Sequence, residues 1–119
     1  MKDQDRRNFE SMLRYWTSEW ERGRETAEVA ENMAAGLTLL GRAAEAEQVM
    51  EQLFAKGTQD DAAYLMMGRV KGYLGKVEEA TRYFEDFLKL PGKREKNDKK
   101  EAEKDIFLLK RHGRLELRT

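Results

Sequence analysis

Apolar positions recur at helical spacing along most of the chain. Phe9, Met12, Leu13, Trp16 and Trp20 share one face of a helix over residues 5–22. Residues 41–54, "GRAAEAEQVMEQLF", put Ala46, Met50, Leu53 and Phe54 on one side and charged groups on the other. The stretch from Tyr64 to Leu74 differs. Tyr64, Leu65, Met66, Met67, Val70, Tyr73 and Leu74 point in nearly every direction around a helix, so that helix must serve several surfaces at once. Residues 77–88 return to a single apolar face, and a last helix is expected from about Asp98 to His112. Gly23, Gly41, Gly57, Gly75, Pro91 and Gly113 fall between these segments, where a helix must stop. About six helices follow, and no strand pattern competes with them.

The segments repeat. "GKVEEATRYFEDFL" (residues 75–88) overlies "GRAAEAEQVMEQLF" (41–54) at an interval of 34 residues. Gly75 matches Gly41, Ala80 matches Ala46, Phe84 matches Met50, and upstream Met67-Gly68 matches Met33-Ala34. A further step back sets Gly57 over Gly23, Ala46 over Met12 and Met50 over Trp16. A constant interval of this size marks a stacked array of one supersecondary unit. Each unit is an apolar helix, a Gly turn, an amphipathic helix and a Gly or Pro stop. Small Ala46 and Ala80 let two helices approach, and Met50 and Phe84, four residues on, fill the space between them.

This pattern resembles the tetratricopeptide repeat (TPR) family. Tyr64-x-x-Met67-Gly68 is similar to the family's Trp-x-x-Leu-Gly, and Ala80-x-x-x-Phe84 with Pro91 is similar to its Ala-x-x-x-Phe and Pro. Lys71 departs from the family's usual Tyr, and Ala30 from its aromatic. The resemblance covers residues 27–91 and implies an all-α, right-handed superhelix of antiparallel helix pairs. A single domain is expected over 1–119: an N-terminal half-repeat helix (5–22), a first repeat (25–57), a second (59–91), and a charged linker with a capping helix or partial third repeat (92–119). "GRLEL" from Gly113 echoes the two earlier Gly turns at a spacing of 38, which calls for an insertion of four residues near "KREKN".

The family's groove positions, carried onto this chain, give three rows. The first helix offers Glu28, Glu31, Asn32, Ala35, Thr38 and Leu39. The second offers Ala62, Leu65, Met66, Arg69, Gly72 and Tyr73. The third, in the Gly113 register, offers Lys100, Glu103, Lys104, Phe107, Lys110 and Arg111. Such a groove is acidic at one end, apolar in the middle and basic at the other. It suits a peptide or helical segment with apolar anchors and acidic residues. Some TPR domains clamp the C-terminal carboxylate of heat-shock chaperones, but Glu31 and Met66 stand where that clamp needs hydrogen-bond donors, which disfavours it here. In the competing arrangement Leu65, Met66, Tyr73 and Phe107 bury against each other or against the chain's own tail.

Charge sharpens the picture only at one end. Lys plus Arg and Asp plus Glu are each 23 in 119 residues, so no net pull acts on nucleic acid or anionic membrane. From Lys93 to Arg118 ten basic residues meet six acidic ones, leaving that segment at +4 and the remainder at −4. A nucleic-acid contact through this basic segment is the weaker alternative, since Glu31 and Asn32 do not match Leu65 and Met66 as base-reading side chains would. The absence of Cys excludes disulfides and fits a cytoplasmic protein. The N-terminus lacks the apolar stretch of a signal peptide, and no run reaches the length of a membrane span.

Candidate chemistry is sparse. His112 is the sole imidazole and has no second His or Cys with which to hold a metal. "GYLGKV" lacks the Ser or Thr and the preceding strand of a phosphate loop. No paired carboxylates stand out, so neither an enzyme nor a cofactor is expected. The expected function is a non-catalytic module, as scaffold, adaptor or chaperone, that binds a protein segment through Glu31, Asn32, Leu65, Met66, Arg69, Tyr73, Lys100, Lys104, Phe107 and Arg111. The alternative within interaction proteins is self-association through the Trp16–Trp20 face or the incomplete last repeat.

Overall fold

The computed structural model describes residues 2–58, 60–90 and 96–116, with only the backbone described at 96 and 97. Six helices and no strand lie among them: α1 (Asp3–Glu21), α2 (Ala27–Leu39), α3 (Ala43–Ala55), α4 (Asp61–Tyr73), α5 (Val77–Lys89) and α6 (Lys96–His112). The starts and ends of α4 and α5 fall 34 residues after those of α2 and α3. The chain divides into two compact units, α1 to α3 and α4 to α6, with the boundary between residues 59 and 60. Pro91 and most of the inferred insertion near "KREKN" lie outside the described residues.

The helix ends explain the repeated Gly. Gly41 and Gly75 have φ of 77° and 75°, a left-handed conformation that a side chain would strain. In that conformation Arg42 N donates to Leu37 O (2.7 Å) and Gly41 N to Thr38 O (3.0 Å). Lys76 N to Lys71 O and Gly75 N to Gly72 O repeat the arrangement, both at 3.0 Å. These paired bonds satisfy the last carbonyls of α2 and α4 and turn the chain back antiparallel. Gly113 (φ 78°) closes α6 in the same conformation, and Leu109 lies inside the helix, as the register with Gly113 at the turn requires. At the start of α2, Thr26 Oγ1 accepts from Val29 N (3.3 Å) and caps the helix.

In the first unit α2 packs against both α1 and α3. Its core holds Leu13, Val29, Ala30, Met33, Ala34, Leu37, Ala46, Met50 and Leu53. The 34-residue step does not carry into α1 as the sequence implied. Met12, the position under Ala46, is 54 % exposed, and its neighbour Leu13 is buried instead. Leu13 meets α2 at Gly36, where an added Cβ would lie 3.5 Å from Leu13 Cβ. The face turned to α2 therefore runs through Phe9, Leu13, Trp16 and Trp20, with Met12 rotated away. Glu19 is also buried; Arg24 hydrogen-bonds its carboxylate, and Arg22 stands 4.0 Å away.

In the second unit α4, α5 and α6 pack on one another. Leu65, Ala80, Phe84, Phe87, Ala102, Leu109 and Leu115 form one cluster, flanked by half-buried Tyr64, Tyr73, Val77, Leu88, Ile106 and Leu108. Ala46 and Ala80 are wholly buried, as are Met50 and Phe84 four residues after each. Ala102 and Leu109, seven residues apart, set the inner face of α6. Burying a Phe or Leu side chain in this way stabilises the fold by roughly 1.5–3 kcal/mol.

Candidate protein-binding surface

The three rows taken from the sequence fare differently. On α2, Glu28 is exposed and Glu31, Asn32, Ala35 and Leu39 are half-buried. Asn32 Nδ2 donates to Glu28 O (2.8 Å), and buried Thr38 turns its hydroxyl to Ala34 O (2.6 Å). Thr38 is thus engaged inside its own helix and presents no free donor. Row two, on α4, is more deeply altered. Leu65, expected to face a groove, is 8 % exposed and belongs to the core shared with α6. Gly72 is buried as well: Leu115 N donates to Gly72 O (2.9 Å), and a Cβ at Gly72 would fall 2.6 Å from Leu115 Cδ1. The segment after Gly113 folds over the end of α4 and fills the space that Gly72 leaves open.

Met66, Arg69 and Tyr73 keep part of their surface. Arg69 Nε lies 3.9 Å from Asp105 Oδ2 on α6, so α4 and α6 are joined by a long-range ion pair at this edge. Burial pushes the Tyr73 phenol above its ordinary pKa; Arg69 works against that shift and Asp105 adds to it. In the third row, Lys100, Glu103, Lys104, Phe107, Lys110 and Arg111 are all exposed, Phe107 by 59 %. Rows two and three are brought together within the second unit, but as packing partners: Leu65 and Gly72 face the inner side of α6 or its tail, and the row at Lys100–Arg111 faces away from the core. Of the four large side chains that could have buried together, Leu65 joins the core, Tyr73 packs against it in part, Met66 is half-buried and Phe107 is exposed.

Asp105 and Leu115 are contributors that sequence reasoning missed. Leu115 had a signal, since "GRLEL" repeats the start of a second helix and its Leu must find cover; Asp105, one charge among many, had none. A second exposed patch also went unread. Tyr15 is 57 % exposed beside Met12 on α1, its ring 5.0 Å from that of Trp16 and nearly perpendicular to it. Next to this patch an open cleft is lined by Tyr15, Trp16, Glu19, Arg24, Glu25 and Lys56. Its charges are largely matched within the unit. Arg24 holds Glu19, and Lys56 Nζ lies 3.0 Å from Glu25 and 5.9 Å from the centre of the Trp20 ring.

Among the described residues no group of three His, Cys, Asp or Glu could hold a metal ion, and no helix is long and apolar enough to cross a membrane. No protein-family model matches the chain, and neither a curated protein nor a solved structure does.

Proposed function

We propose that the chain is a non-catalytic helical-repeat module that binds a peptide or helical segment of a protein partner, as a scaffold, adaptor or chaperone-like component. The finer architecture, a right-handed TPR-like superhelix, is part of this proposal, as is a cytoplasmic setting. The observation that carries it is the recurrence itself. Two helix hairpins of equal bounds, 34 residues apart, keep the same left-handed Gly and the same buried Ala and large apolar seat. Helical repeats of this kind present extended surfaces for ligands. Half-exposed Met66 and exposed Phe107 and Lys104 supply the adaptable and charged contacts that such a ligand needs. The test is affinity capture from cell extract with the wild-type protein beside Met66→Glu and Phe107→Ser. A protein retained by wild type and lost with either variant supports the proposal; no protein retained above bare resin overturns it.

Exposed Met12 and Tyr15 favour a second reading, self-association through α1. Light scattering over a concentration series separates the two: a dimer abolished by Met12→Glu favours the second, and a monomer throughout favours a foreign ligand.

A further inference from the structure

We propose that the outward face of α6, centred on Phe107, docks an acidic protein segment that carries one large apolar side chain. The proposal rests on the protein-binding reading above and gives it a site and a partner chemistry. Phe107 is 59 % exposed, and Lys100, Glu103, Lys104, Lys110 and Arg111 are exposed with it. They lie seven, four and three residues before Phe107 and three and four after it, so all share its side of the helix. The opposite side is the packed one, where Ala102 and Leu109 are buried and Asp105 reaches Arg69. Held by its inner face, α6 offers a firm row from 100 to 111, about 16 Å long at 1.5 Å per residue, with an aromatic ring among four cations.

Helix stability alone does not account for this row. Cations in the last turn complement the helix dipole, which covers Lys110 and Arg111. Lys100 and Lys104, the fifth and ninth residues of α6, lie beyond the terminal turns where the dipole acts, so it does not account for them. None of the four cations makes an ion pair among the described residues, and the Phe107 ring is exposed in their midst. The row complements a segment of opposite pattern, carboxylates around one large apolar group. Glu103, set within the row beside Phe107, interrupts the continuous positive track that a phosphate backbone or an anionic bilayer would follow.

The test uses the full chain and a fluorescein-labelled synthetic peptide of about four helical turns, with one Trp flanked on both sides by Glu. Anisotropy is followed at about 50 mM and about 300 mM salt, which shortens the screening length from beyond 10 Å to well below it. Binding is expected at low salt, and it is expected to weaken about tenfold or more in the Lys104→Glu/Arg111→Glu variant and in Phe107→Ser. Peptides with Gln for Glu or Ala for Trp should fail similarly. Circular dichroism confirms that the variants, changed only at exposed positions, keep their helices. Equal binding by the variants overturns the proposal, as does no binding by wild type. Tighter binding of a uridine oligonucleotide or of phosphatidylserine vesicles overturns it in favour of those ligands, and a dimer lost in the same variants overturns it in favour of a second copy. If the peptide fails but Met66→Glu still abolishes capture of a protein from extract, this site falls and the protein-binding reading stands; if capture fails too, both fall.

Discussion

Gly68 lies directly beneath the ring of Phe84: a Cβ at Gly68 would sit 2.7 Å from Phe84 Cε1 and 2.8 Å from Cδ1. One repeat earlier the equivalent residues are Ala34 and Met50, both wholly buried. The two pairs trade volume across the same helix contact. Where the second helix brings a rigid ring, the first gives up its Cβ; where it brings a narrower, flexible Met, the first keeps one.

Gly68→Ala should therefore destabilise the second unit although Ala is the better helix former. Crowding a packed ring costs about 1–3 kcal/mol, against roughly 1 kcal/mol of helix propensity regained. Phe84→Leu relieves the crowding at its own cost in lost burial. The double variant should then be more stable than the sum of the singles implies, by about 0.5–1 kcal/mol in a urea-unfolding cycle. Strict additivity would mean that the two positions do not share the space.

Lys71 is 4 % exposed, with Nζ 3.8 Å from Glu79, and its counterpart one repeat earlier is buried Leu37. Desolvating an ammonium group consumes much of what its partners return. Lys71→Met, which keeps the length of the stem, should leave stability unchanged or raise it by about 1 kcal/mol. Lys71→Ala should lower it by about 2 kcal/mol through the cavity it leaves. Thermal melts of the two variants check the ordering, and a Met variant less stable than the Ala variant would show that the charge itself is required.

Tyr73 gives the second unit an alkaline limit. Its phenol has a raised pKa in the folded chain because burial disfavours the phenolate, with Arg69 opposing the shift and Asp105 adding to it. The folded state holds the proton more tightly than the unfolded one. The stabilisation is complete below the ordinary tyrosine value of about 10 and is lost as pH rises through the higher folded value. The urea midpoint of wild type should fall more steeply above about pH 10 than that of Tyr73→Phe. Parallel profiles would exclude Tyr73 as the titrating group.

The cover that Leu115 places on Gly72 should be separable from the helices beneath it. Gly72→Ala puts a methyl group into Leu115 and also within 3.3 Å of Leu109 Cδ2, so the segment after Gly113 must move. Limited trypsin digestion should then cut after Arg114 several-fold faster than in wild type, while far-ultraviolet dichroism changes little. Leu115→Ala should give the same cleavage and cost about 2–3 kcal/mol. Unchanged cleavage in both variants would mean that this contact does not hold the segment.

Much of the fold is legible in the chain because its determinants are local. Gly at 41 and 75, Ala at 46 and 80, and the helical spacing of apolar residues specify turns, close approaches and faces without reference to distant partners. α6 is readable for the same reason, since Gly113 is bound to a helix end and not to a count of 34. The seat on α1 was misplaced by one residue because the 34-residue step into that helix rests on few matched positions, and one residue is 100° of turn. In the candidate surface, Lys100, Lys104, Phe107 and Arg111 are exposed. The sequence left Leu65 open between groove and core, because its place depends on which of several sticky sides of α4 the rest of the unit covers. Leu115, Leu109 and Ala102 decide that from 30 to 50 residues away in sequence.

Both tryptophans stand on α1, and the second unit carries only tyrosine and phenylalanine as its aromatic residues. Indole emission thus reports on the first hairpin and its leading helix alone, whereas far-ultraviolet ellipticity sums over the whole chain. A denaturant titration read by both signals tells whether the halves melt as one body or in sequence, with no label or added reporter.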